Sequence, residues 1–179
     1  MDLMLGVFLS VGLAGIGSGI AAVAMWTAFS SELKKISDEE KRRKMDKELR
    51  PKTLVTMTYP TTGIMFALVI YFMASNKDLM TDEFFIALCL NIGVSAFVVS
   101  IAEGIYIRGT MKGVFENPEH WGKSVASMAL CEVAIIYSLV IAFVSMGEFN
   151  GNAADLILPN YIVMFTSLGS LIVAGLMLR

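Results

Sequence analysis

Apolar residues run along this chain in long blocks separated by short polar breaks. The blocks cover about 3–30, 53–74, 84–112, 122–146 and 156–178. A helix needs roughly 20 apolar residues to cross the hydrocarbon core of a bilayer, and each block is of that order. The breaks carry the charge and the turn formers. Residues 31–52 hold nine Lys/Arg and six Asp/Glu. Residues 75–83 hold Lys77, Asp78, Asp82 and Glu83, residues 113–121 contain Asn117-Pro118-Glu119-His120, and residues 147–155 contain Gly147, Gly151 and Asn152. The pattern predicts an all-α membrane protein. Two tandem transmembrane helical hairpins form a four-helix unit, and an extra C-terminal transmembrane helix follows. The parts are 1–75 (first hairpin), 76–147 (second hairpin) and 148–179 (extra helix).

Local chemistry refines these segments. The first is dense in small residues, with Gly12, Gly15, Gly17 and Gly19 among Ala14, Ser18, Ala21 and Ala22. Such residues let helix backbones approach closely, either in ordinary tight packing or in a narrow inner ring of helices. The charged run Asp38–Arg50 is able to extend a helix into water. Pro60 interrupts the second segment, where proline kinks a helix and frees backbone groups in the preceding turn. Pro159 falls in the first turn of the fifth, where it is tolerated.

Composition agrees with the pattern. The chain is 56% hydrophobic and 17% charged, with a mean hydropathy of +0.68. Its net charge of −2 points to no nucleic acid, and none is expected as a partner; membrane lipid is. Asp2 stands where a signal peptide would be basic, so the first block reads as a mature span. Of the 14 Lys and Arg residues, all but Lys77 fall on one side of five spans. The excess of positive charge puts the N-terminus outside, with loops 31–52 and 113–121 and the C-terminus in the cytoplasm. Cys89 and Cys131 lie in apolar segments and read as buried thiols.

The first two segments resemble the next two. Gly15-Ile16-Gly17-Ser18-Gly19-Ile20 lines up with Ser100-Ile101-Ala102-Glu103-Gly104-Ile105, and Phe66–Ile70 with Tyr137–Ile141. In this register Ser18 matches Glu103 and Thr61 matches Glu132, as in a duplicated hairpin. Carboxylates inside membrane spans are costly and mark functional sites. Glu103 and Glu132 each lie roughly ten residues, or about 15 Å, from the cytoplasmic loop, and Thr62 lies at the same depth. One antiparallel packing brings all three together. Two ionised carboxylates cannot share a dry site, so they take up two protons, or one proton and one small cation. The Thr62 hydroxyl and the Tyr59 carbonyl, in the turn distorted by Pro60, are further oxygen donors.

The segment Glu103-Gly104, then Asn117-Pro118-Glu119-His120, Gly122-Lys123 and Cys131-Glu132-Val133-Ala134-Ile135, resembles the second hairpin of the proteolipid subunit of V-type and archaeal A-type rotary ATPases. The Gly-rich helix from Gly12 to Ala22, the Arg50-Pro51-Lys52 loop end and the Pro60-Thr61-Thr62-Gly63 turn resemble its first hairpin. The resemblance covers about residues 5–146. It implies a ring of several copies of the chain, with segments one and three inside and two and four outside. The cytoplasmic loops 31–52 and 113–121 would dock on central-stalk subunits. Glu132 would exchange its ion against an Arg of a stator membrane subunit. ATP hydrolysis or synthesis would belong to other subunits, so the chain is not itself an enzyme, and no cofactor is expected beyond the coupling ion.

Sodium-binding members of that family commonly have Gln where Glu103 stands, Gln where Gly63 stands and Tyr where Phe66 stands. The added carboxylate offers replacement oxygen ligands and charge, so the ion stays open between Na+ and H+, with sodium favoured. The fifth span also departs from the duplicated form. On the outer face of a ring it would block the stator, so it is expected inside. Two other readings compete: a small ion-coupled secondary transporter with a membrane Glu pair, and a structural membrane protein in which Glu132 is dispensable.

Overall fold

The charged stretch between the first two spans is largely helical. A computed structural model describes residues 3–75, 81–147, 169 and 172. Four long helices cross the described part: α1 (Leu3–Lys34), α2 (Glu39–Ser75), α3 (Asp82–Glu116) and α4 (His120–Met146). All four are long and apolar enough to span a membrane, and there is no strand among the described residues. The predicted fifth span falls, Gly169 and Ile172 apart, outside the described residues.

Residues 31–52 are not the loop that the charge pattern suggests. α1 continues to Lys34 and α2 begins at Glu39, leaving a connection of residues 35–38. The Asp38 carboxylate caps α2, accepting the Glu40 N–H at 2.9 Å and the Lys41 N–H at 3.1 Å. Pairs one helical turn apart then line the surface: Glu39 with Arg42 at 3.3 Å, Asp46 with Arg50 at 2.8 Å and Glu48 with Lys52 at 3.1 Å. Each exposed pair is worth only about 0.3–0.5 kcal/mol and the cap about 1 kcal/mol. The larger share falls to Met45 and Leu49, which are buried. Above them Arg50 lies over the Trp26 ring, 5.9 Å from its centroid. Pro51 sits within this helix rather than at a loop end. It is exposed, so water can take the carbonyl that it frees.

The second connection is likewise shorter than 113–121. α3 runs to Glu116, and Pro118 forces Asn117 into extended backbone (φ −143°, ψ 105°), which ends the helix. The Asn117 side chain accepts the Glu119 N–H at 3.0 Å, and the Asn117 carbonyl accepts the His120 N–H at 3.0 Å, which starts α4. Trp121 then reaches back to α2, donating its indole N–H to the Thr56 hydroxyl at 3.1 Å.

Helix α3 is the most buried of the four and packs on the other three. Its closest partner is α1, and small residues make that approach possible. A Cβ at Gly17 would lie 2.8 Å from the Phe97 backbone, and one at Gly104 would lie 2.7 Å from Ala21 Cα. A Cβ at Gly93 would overlap the Leu9 carbonyl oxygen. That carbonyl belongs to a turn of π-helix over Phe8–Gly12, whose wider coil brings it against α3. Lipid supplies no hydrophobic drive between helices, so such backbone contact provides the dispersion that holds them together. Toward the α1–α2 connection the seam fills with larger groups, Met25 and Phe29, the latter with its ring centroid 5.6 Å from that of Phe115 and tilted against it.

Candidate functional site

Helices α2 and α4 break at the same point of the repeat. α2 changes to a 3-10 turn over Tyr59–Thr61 and α4 to one over Leu130–Glu132. Thr61 and Glu132, matched in the sequence repeat, are each the last residue of their turn. Pro60 accounts for the first break, since it has no N–H to give. The second has no proline, and its sequence gives no warning of it.

The turns set the side chains of the site. Thr61 is exposed, and its hydroxyl bonds back to the Thr58 carbonyl. Thr62 instead lies beside Glu132, its hydroxyl near enough to act on the carboxylate. The Tyr59 carbonyl accepts the Thr62 N–H that closes the turn, so it lies at the base of the same site. Glu103 comes from α3 and is 1% exposed, whereas Glu132 is half-buried. The two carboxylates are close enough for their charges to interact. Neither oxygen of Glu103, nor Oε1 of Glu132, has a hydrogen-bond partner among the described residues. Thr62, Glu103 and Glu132 are therefore brought together, with three carboxylate oxygens short of partners among the described residues. No cluster of three or more His, Cys, Asp or Glu occurs among the described residues. Both cysteines are buried thiols, and neither is in a disulfide among the described residues.

Exposure separates the two carboxylates. Glu132 borders an apolar strip of α4 that faces outward: Leu130, Val133, Ile136, Tyr137 and Val140 are all exposed. It can be reached from outside the four-helix unit, and Glu103 cannot. The glycines of α1 also divide. Gly17 is used against α3, and Gly12 meets the ring of Phe8 in its own helix. A side chain at Gly15 or Gly19 would meet nothing within 4 Å.

Comparison with known proteins bears on the same helices. The family model for the ATP synthase C subunit matches residues 86–145, a range that holds both carboxylates. A relative from Syntrophobacter fumaroxidans, itself named as this ATP synthase component, is 33% identical over 63 residues, covering 33% of this chain and 70% of that protein. The chain belongs to the ATP synthase C-subunit family. The matched range lies within α3 and α4. Helices α1 and α2 lie outside it, and α2 supplies the Thr62 side of the site.

Two elements of the site escape a reading of residue types. Ser100 is fully buried and donates its hydroxyl to the Pro60 carbonyl at 3.2 Å. Farther from the α3–α4 connection, Ser138 of α4 donates to the Asn91 side-chain oxygen of α3. The available signal in both cases is a polar residue inside an apolar span, which in lipid must find a partner on a neighbouring helix.

Proposed function

We propose that this chain is a proteolipid subunit of the membrane rotor ring of a V/A-type ATPase. It carries Na+ or H+ across the membrane by reversible binding at Glu132, with Glu103 beside it. The cycle is coupled to rotation and to ATP hydrolysis or synthesis on partner subunits. The observation that carries this reading is the placement of Glu132: half-buried, beside the Thr62 hydroxyl, and at the edge of an outward apolar strip. There it can shield a bound ion from lipid and still present it to a passing stator subunit. The V/A-type assignment is supported by the doubled hairpin, with matching breaks on α2 and α4 and a carboxylate only at the second.

The partners follow from the same reading. Further copies of the chain pack beside it, with α1 and α3 inside and α2 and α4 outside. A stator Arg meets Glu132, and the cytoplasmic ends at 31–52 and 113–121 dock on the central stalk. The N-terminus lies outside, and the fifth span lies within the ring. In the assembled complex, Glu132→Gln abolishes ATP-driven ion transport while the ring still forms; retained transport refutes the proposal. A carbodiimide modifies Glu132, and sodium slows that reaction at fixed pH. If pH alone matters, the coupling ion is the proton.

A further inference from the structure

Helix α2 is held to α3 at its break by two contacts of different kinds. One is steric. Gly63 lies so close to α3 that an added Cβ would sit 2.8 Å from the Ala96 Cβ. The other is polar: Ser100 Oγ donates to the Pro60 carbonyl at 3.2 Å, between two buried residues that are 40 positions apart in sequence. Ala96 and Ser100 are one turn apart on α3, and Pro60 and Gly63 are one turn apart on α2. The two contacts thus bracket the broken turn and fix both its depth and its rotation.

Thr62 lies inside that bracket. A rotation of α2 by about 20° would carry a side-chain hydroxyl about 1.5 Å, enough to lose a hydrogen bond. The chain continues across the break through Thr58, Thr61 and Thr62, whose N–H groups make short-range 3-10 contacts. Such turns are weaker than α-helix and do not set rotation by themselves. In a span that faces lipid, no water competes for the Ser100 hydroxyl, and its bond to Pro60 is the hold on rotation that the α3 side supplies.

We propose that Ser100 is a positioning residue of the ion site. By bonding the Pro60 carbonyl it fixes the broken turn of α2 and aims the Thr62 hydroxyl at Glu132. The inference rests on the reading of Glu132 as the ion carrier and adds a residue to it. The repeat supplies no counterpart, since the position of α1 matched to Ser100 is Gly15. The Thr62 side of the site is therefore the one held by a hydroxyl from an inner helix.

The test is carbodiimide labelling of Glu132 in the assembled, membrane-embedded complex, followed against pH. Four chains are compared: wild type, Ser100→Ala, Thr62→Ala and the double variant. Ser100→Ala is expected to shift the labelling midpoint in the same direction as Thr62→Ala, by about three- to tenfold in proton concentration, the scale of one hydrogen bond. The double variant is expected to shift it no further. A side chain that only fills space would leave the midpoint in place or add its effect to that of Thr62→Ala; either result overturns the proposal. So does a Thr62→Ala midpoint equal to that of wild type. Should Ser100→Ala fail to assemble, Ser100→Cys, of similar volume and a weaker donor, gives the same comparison with a smaller expected shift. Wild-type Glu132 that resists labelling at every pH would instead refute the ion-carrier reading itself.

Discussion

Restoring the glutamine that sodium-binding proteolipids commonly carry at position 63 is expected to damage this site rather than build a ligand. The Cβ of any residue there would lie 2.8 Å from Ala96 Cβ and 3.3 Å from Ala96 Cα. Ordinary contact begins near 3.4 Å, so α2 must back away from α3 by about 0.6 Å, and overpacking of this kind costs about 1–3 kcal/mol. Replacing glycine inside a helix returns up to about 1 kcal/mol. The same displacement stretches the 3.2 Å bond between Ser100 and Pro60 beyond bonding range, a further loss of about 1 kcal/mol. Gly63→Gln should therefore be less stable by about 1–3 kcal/mol, the lost bond roughly cancelling the gain in propensity. The assay is thermal stability of the purified complex together with carbodiimide labelling of Glu132. Ala96→Gly should rescue the variant, because it removes the atom that the new side chain would strike. A Gly63→Gln chain as stable as wild type, with stronger sodium protection of Glu132, would refute the argument, as would failure of Ala96→Gly to rescue.

Two further outcomes are expected. Gly17→Leu, whose Cβ would meet the Phe97 backbone, destabilises the single chain, whereas Gly15→Leu, with open space around it, leaves the chain folded and blocks ring assembly; native gels and circular dichroism of both variants check the contrast. Glu103→Gln keeps the ring assembled and raises its thermal stability at high pH, where the buried carboxyl, without a hydrogen-bond partner among the described residues, would otherwise have to ionise, whereas at low pH, where the carboxyl is protonated and already neutral, the two rings melt alike; an equal melting temperature at high pH would mean that Glu103 gains a partner from another subunit.

What the sequence makes legible depends on which force sets each feature. The four spans follow from apolar length, which the bilayer imposes one segment at a time. Glu103 and Glu132 stand out because charge is costly in lipid. The break at Pro60 can be read because a missing N–H is a property of one residue. The break at Leu130–Glu132 has no such marker. The run Asp38–Arg50 can be read as able to extend a helix, and it does so. How short the connection before it is stays hidden, because its charges look like a loop until Asp38, Met45 and Leu49 are seen as a cap and a buried face. Gly63 looks like a lost ligand, and only the distance to Ala96 shows that close packing is its role. Ser100 carries no chemistry in sequence because its partner is a backbone carbonyl 40 positions away.

The two carboxylates need different surroundings because they are exposed differently. An ion that is exchanged once per passage must leave and return across a boundary, and the residue that holds it must lie on that boundary. Glu132 does so, beside the outward strip of α4, while Glu103 is enclosed by helices on every side. An exchange at Glu103 would require α3 to separate from its neighbours. The Gly17–Phe97, Gly104–Ala21 and Gly63–Ala96 approaches leave no slack for that movement. If Glu132 is the ion carrier proposed above, Glu103 acts in place, setting the charge that Glu132 and its cargo must balance. The first hairpin contributes the fixed wall against which Glu132 closes. Its broken turn is anchored by Ser100, and its own repeat position is Thr61, which carries no charge.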